Sequence, residues 1–178
     1  MNARTRRRLG PGALLAALML AAIQPANAAS DNSGVIHDKD YDFGFSSPAG
    51  ESCTFPLGVV GTNGIIHTKE WQDSDGNTSR FFFAGKGVNL TYTNEITGKS
   101  VTIKTAGSVA HTTVNADGTV TLELIGHNGL SLFPADIPAG PSTKHHIGRV
   151  VLTIDANGIF KVLSVSGRER DICAELAN

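Results

Sequence analysis

Excess charge of one sign, cysteine, aromatic residues and uninterrupted helix-forming stretches are all scarce in this chain. Its 178 residues carry 15 Lys and Arg against 16 Asp and Glu. With no basic surplus there is nothing to neutralise a phosphate backbone, so no nucleic-acid partner is expected. Only two Cys are present, too few for a disulfide framework. Aromatics make up 6% of the chain, with a single Trp, which is thin for a sugar-stacking face. Past residue 28, no stretch free of both Gly and Pro exceeds 11 residues, the longest being 65–75 and 168–178. Inside a helix, Gly costs ~1 kcal/mol and Pro ~3 kcal/mol, so helix has almost no room. The length is short for two domains at ~100–200 residues each. The 40% apolar share and formal net charge of −1 place the chain among folded rather than disordered sequences.

One long apolar run does exist, at the N-terminus. Arg4, Arg6, Arg7 and Arg8 form a basic region, and Ala13–Ile23 is apolar throughout. Pro25 follows, and Ala26-Asn27-Ala28 supplies small residues at −3 and −1 of a cleavage site. This is the three-part pattern of a secretory signal peptide over residues 1–28. The run is too short for a membrane span, which needs ~20 apolar residues. Arg6-Arg7 also fits a twin-arginine signal, so the sequence leaves both export routes open. Removing the leader takes away four of the 15 basic residues and no acid. The remaining 150 residues then carry 11 basic against 16 acidic side chains, a net of −5. An acidic, secreted, extracellular protein with no membrane span follows as the expectation.

In an oxidising compartment the lone pair Cys53 and Cys173 is expected to form a disulfide. Bridged Cα atoms lie about 4.4–6.8 Å apart, so the start of the core and the C-terminal tail must be neighbours.

Between the Gly and Pro residues the apolar positions alternate. Val88, Leu90 and Tyr92 oppose Asn89, Thr91 and Thr93, and Val101 and Ile103 oppose Thr102 and Lys104. Val120, Leu122 and Leu124 oppose Thr121 and Glu123. Period two means a sheet with one wet face and one buried face. The runs 150–154 (VVLTI) and 159–165 (IFKVLSV) are apolar on both sides and read as central strands, and Phe81–Phe83 reads as buried on at least one side. Turn signals separate the runs: Asp73-Ser74-Asp75-Gly76-Asn77, Asn94 to Gly98, Asn115-Ala116-Asp117-Gly118 and Asp155-Ala156-Asn157-Gly158. Their Asp-Gly and Asn-Gly pairs supply the positive φ of tight hairpins. The spacing predicts an all-β domain over 51–178. It would be a single antiparallel meander of about 8–10 strands, forming a barrel or sandwich, with a short C-terminal helical turn in 168–177. Residues 132–143 read as one long irregular loop, and 29–50 as a loosely ordered N-terminal arm.

Chemistry is harder to find. Asp38, Asp40 and Asp42 have the 1-3-5 spacing of a calcium loop, as do Asp73, Asp75 and Asn77. Neither set has the Gly at position 6 or the Glu at position 12. His145 and His146 are adjacent and, in a strand, point to opposite faces. A zinc site would need His37, His67, His111 or His127 to converge on one of them. Neither a nucleophile elbow nor a phosphate loop is present, since Gly98-Lys99-Ser100 lacks its upstream Gly. Glu70 and Glu123 could flank a glycosidic bond only if the fold joined them. No metal, cofactor or catalytic residue is therefore assigned.

The leader, Cys53-Thr54-Phe55-Pro56, Thr97-Gly98-Lys99 and Asn115-Ala116-Asp117-Gly118 form a recognisable series. It continues through Gly148-Arg149-Val150-Val151, Asp155-Ala156-Asn157-Gly158, Gly167-Arg168 and Asp171-Ile172-Cys173-Ala174-Glu175-Leu176. On these motifs residues 53–178 resemble a group of small secreted actinobacterial proteins of unknown function. The resemblance implies a secreted all-β domain with a terminal disulfide, and it brings no catalytic residue.

The expectation is a secreted, non-enzymatic binding or interaction module whose partner is an extracellular ligand or protein. A closed barrel would hold one small apolar ligand. Phe55, Phe81, Phe83, Leu90, Tyr92, Leu122 and Leu152 are the candidate cavity lining. The alternative is an extracellular enzyme with His67, His111 or His127 as its base.

Overall fold

The computed structural model describes residues 36–177, with side chains from residue 40 on. The signal peptide expected over 1–28 lies outside the described residues. Nine strands run β1 (Ile36–Ser47), β2 (Leu57–Gln72), β3 (Thr78–Lys86), β4 (Asn89–Asn94), β5 (Ser100–Lys104), β6 (Ser108–Val114), β7 (Val120–Leu132), β8 (Ser142–Ile154) and β9 (Phe160–Asp171). A helix of five residues, α1 (Ile172–Leu176), closes the chain, capped by the Asp171 carboxylate accepting from the Ala174 amide. The arm expected over 29–50 is strand from Ile36 to Ser47, paired along β2. Its charged residues hid the alternation of Tyr41, Phe43 and Phe45, which turn one face toward the core beneath β2.

All nine strands belong to one antiparallel sheet in the order β5-β4-β2-β3-β6-β7-β8-β9, with β1 on the other side of β2. The described strands do not close into a barrel: β5 and β9 stand at opposite ends of that path. Nor is the path a simple meander. One edge of β2 takes two partners in succession, β4 along Leu57–Thr62 and β3 along Ile65–Gln72. The switch falls at Asn63, whose φ is +61°, and Gly64. With 16 residues, β2 is long enough to serve both strands, and the sheet forks there.

A second irregularity crosses the sheet. Gly107, Gly126 and Gly167 have φ of +111°, +103° and +101°. Gly126 lies directly opposite Gly148, which lies opposite Gly167, while Ser108, next to Gly107, pairs with Gly126. A Cβ on Gly126 would come within 2.7 Å of the Gly107 carbonyl oxygen, and one on Gly167 would run into the Ile147 carbonyl. Glycine alone lets the backbones crease this tightly. The crease folds β7, β8 and β9 back on themselves. Straight, a strand of 13 residues would hold its ends about 40 Å apart at ~3.3 Å per residue. Instead Leu130 and Leu132, at one end of β7, share a core with Leu122, Leu124, Val150, Leu152, Ile154 and Phe160. The Phe133–Pro141 loop secures the fold-back. Asp136, buried, accepts from the Phe133 amide at 2.6 Å and the Phe160 amide at 2.8 Å. Ile137 adds a bridge to the start of β9.

A second core gathers Cys53, Phe55, Leu57, Val59, Leu90, Tyr92, Ile103, Ile172 and Leu176. Cys53 and Cys173 form the expected disulfide, with Cα atoms 5.5 Å apart. The folded-back end of β8 is covered on both faces, so Thr143, His145 and His146 are all buried. The Thr143 hydroxyl donates to the Ser52 carbonyl beside the disulfide at 3.0 Å.

Two placements differ from the sequence expectation. The run 159–165 is at the edge of the sheet, not its centre, with Leu163 and Val165 exposed. Its apolar character serves the fold-back, through Phe160 and Val162. The helical turn begins only at Ile172, because Arg168–Asp171 pairs with Lys144–Ile147 of β8. The turn signals are realised as drawn. At Asp73–Asn77, Asn115–Thr119 and Asp155–Ile159 the first amide bonds the fifth carbonyl, with Gly76, Gly118 and Gly158 at φ near +80°.

Candidate functional site

The fork in the sheet leaves a cleft of about 130 Å³. Its walls are Ile65 and Ile66 of β2, Phe83 to Lys86 of β3, the Gly87-Val88 link, Leu90 of β4, Thr105 between β5 and β6, and Ser108 and Ala110 of β6. Tyr41 of β1 and Leu124, His127 and Asn128 of β7 complete it. The link is held by the Thr105 hydroxyl, which donates to the Val88 carbonyl at 2.8 Å. The lining is mostly apolar and contains no carboxylate. Burial pushes the Tyr41 hydroxyl pKa up, so that ring stays neutral.

Of the seven residues expected to line a cavity, the structure brings Phe83 and Leu90 to the cleft. Leu122 and Leu152 sit in the fold-back core, Phe55 and Tyr92 in the disulfide core, and Phe81 is buried. A barrel interior would have gathered them; an open, creased sheet divides them between two cores. Ile65, Val88, Ala110 and His127 line the cleft without having been singled out for it. The signals present in the chain were Asn63-Gly64 and the glycines at 85, 107, 126 and 148, which mark where the strands part and bend.

His127 and His145 meet, as one branch of the zinc argument required. His127 Nδ1 lies 3.2 Å from His145 Nε2, a hydrogen bond between rings 5.4 Å apart. No third ligand joins them: among the described residues no group of three His, Cys, Asp or Glu could hold a metal ion. Burial, with His127, Arg170 and His146 nearby, pushes the His145 pKa down to about 4. His146 is also lowered, chiefly by burial, against an opposing pull from Glu169. His145 and His146 are neutral in the fold at neutral pH.

The remaining candidates scatter. His67 and His111 are exposed on the outer sheet face. His111 packs on Phe82 and lies opposite Glu123, whose carboxylate is held by Arg149 at 2.5 Å. Glu70 hydrogen-bonds Thr78 on the other face of the sheet, so Glu70 and Glu123 cannot flank one bond. Asp42 accepts from the Asn63 amide at 2.7 Å, and Asp40 is exposed, while the side chains of His37 and Asp38 lie outside those described. Asp73 accepts from its own turn amides at 75 and 77, which holds its pKa below the usual range. Asp73 thus serves its own hairpin and Asp42 the strand switch at Asn63.

No family model, curated protein or solved structure matches this chain. No helix among the described residues is long and apolar enough to cross a membrane.

Proposed function

We propose that the chain is a secreted, non-enzymatic binding module, a creased β-sandwich that takes a small apolar ligand in the cleft at its fork. The cleft carries this reading. Its 130 Å³ is below the ~300–1,000 Å³ of drug-sized pockets. It is close to the ~150 Å³ in which a buried apolar cavity holds benzene. The occupant is therefore a single ring or short aliphatic group, free or at the tip of a larger molecule. Export rests on the leader and on the resemblance to small secreted actinobacterial proteins. The Cys53–Cys173 bridge suits an oxidising compartment.

The test is titration of the ¹⁵N-labelled protein with benzene, followed by NMR. Saturable shifts centred on Leu90, Ala110, Leu124 and His127 are expected, and Ala110→Leu, which fills the cleft from β6, should abolish them. Absence of shifts, or shifts unchanged by Ala110→Leu in a folded variant, removes the cleft as a binding site.

A further inference from the structure

The cleft has one ionisable wall facing its apolar ones. His127 lines it, and behind His127 stands His145, fully buried and hydrogen-bonded to it at 3.2 Å. We infer that the cleft releases its ligand on acidification, because a proton on the His127–His145 pair charges the surface that an apolar ligand must cover. This rests on the cleft being a binding site and names how that site is regulated.

An apolar ligand strips water from the imidazole wall, and a neutral ring tolerates that far better than an imidazolium. Proton and ligand therefore each weaken the binding of the other by the same factor. The charged groups described around His145 do not offset the charge. From β9, Arg170 faces it, already cationic and bound to Glu175 of α1 at 2.9 Å. Glu169, also from β9, is taken by Lys144 of β8 at 2.6 Å and leans toward His146, not His145. From β4, the Tyr92 hydroxyl is buried and uncharged, and the remaining ionisable groups lining the cleft are Tyr41 of β1 and Lys86 of β3. Among the described residues that line the cleft there is no carboxylate. The second nitrogen of His145, Nδ1, has no partner, so a proton placed there is buried without an acceptor.

The experiment measures benzene affinity of the whole chain by NMR titration between pH 7.5 and 3.5. Amide dispersion confirms at each pH that the protein is folded. Affinity should hold near neutral pH and fall about two-fold at pH 4, approaching ten-fold per pH unit below it for one linked proton. His127→Gln, which keeps a hydrogen-bonding group beside His145, should bind with a flatter pH profile, and His145→Asn provides a second variant. Benzene binding that is equally tight at pH 7.5 and 3.5 in folded protein overturns the inference and leaves the cleft reading standing. An unchanged profile in both folded variants also overturns it. No binding at any pH overturns both.

Discussion

Gly126 of β7 and Gly148 of β8 are direct cross-strand partners, and the crease that folds three strands onto themselves passes between them. The row continues to Gly167 of β9 and back to Gly107, the residue before β6, so three successive strands bend at one line. Gly126→Ala should be costly on two counts. A Cβ at φ +103° is disfavoured, and it would press on the Gly107 carbonyl. A loss of about 2–4 kcal/mol in urea unfolding is expected. Gly118→Ala, at φ +80° in a turn with open space around it, should lose only ~1–2 kcal/mol. Equal losses would show that the crease contributes nothing beyond its dihedral angle.

Tyr92 reaches from the disulfide core to the backbone of Gly129, and its hydroxyl is buried without a partner. A methyl at position 129 would collide with that oxygen. Gly129→Ala should destabilise by about 1–3 kcal/mol. Tyr92→Phe alone should be neutral or stabilising by up to ~1 kcal/mol, since it removes an unsatisfied buried group. The double variant should recover most of the loss, and a double-mutant cycle with no coupling would refute the contact.

Cys53 and Cys173 join the first turn of the core to α1 across 120 residues of sequence. Replacing both by Ala should cost about 2–5 kcal/mol. Because α1 packs Ile172 and Leu176 against β4 and β5 in the same core, near-UV circular dichroism should show looser packing around Tyr92. Unchanged stability on reduction would mean that the helix docks without its covalent tie.

His145 is held neutral, with its pKa pushed from 6.5 to about 4. The folded state therefore binds fewer protons than the unfolded state between those values. Stability is complete above about pH 6.5 and falls as pH drops toward 4, by roughly 3 kcal/mol in total. Chemical denaturation at pH 7, 6, 5 and 4.5 measures this slope. His145→Gln should flatten it, and a variant with the wild-type slope would assign the acid sensitivity to other groups. The turn carboxylates Asp73, Asp117 and Asp155 act lower, since their depressed pKa values stabilise the fold above the usual carboxylate range and fail only below it.

Much of the fold could be read locally. Val120, Leu122 and Leu124 alternate with Thr121 and Glu123, and the structure buries the leucines as the pattern requires. The Asx-Gly turns carry their own instructions, because Asp and Asn bond the turn amides and Gly takes the positive φ. Strand β1 was obscured because Asp38, Lys39 and Asp40 read as a solvated arm. Its backbone is nonetheless claimed by β2, and pairing is not written in composition. The cleft was legible only in fragments. Phe83 and Leu90 are apolar wherever they fall, but their meeting with His127 depends on β2 changing partners at Asn63.

The sequence by itself determined an all-β chain, where its hairpins turn, and that its two cysteines could join its ends. Side-chain alternation and turn dihedrals are settled within a few residues, so a linear reading reaches them. The tertiary structure decided the fork, the fold-back and the His127–His145 contact. Those depend on which backbone edges find each other across tens of residues, and on a line of glycines whose significance appears only once their strands lie side by side.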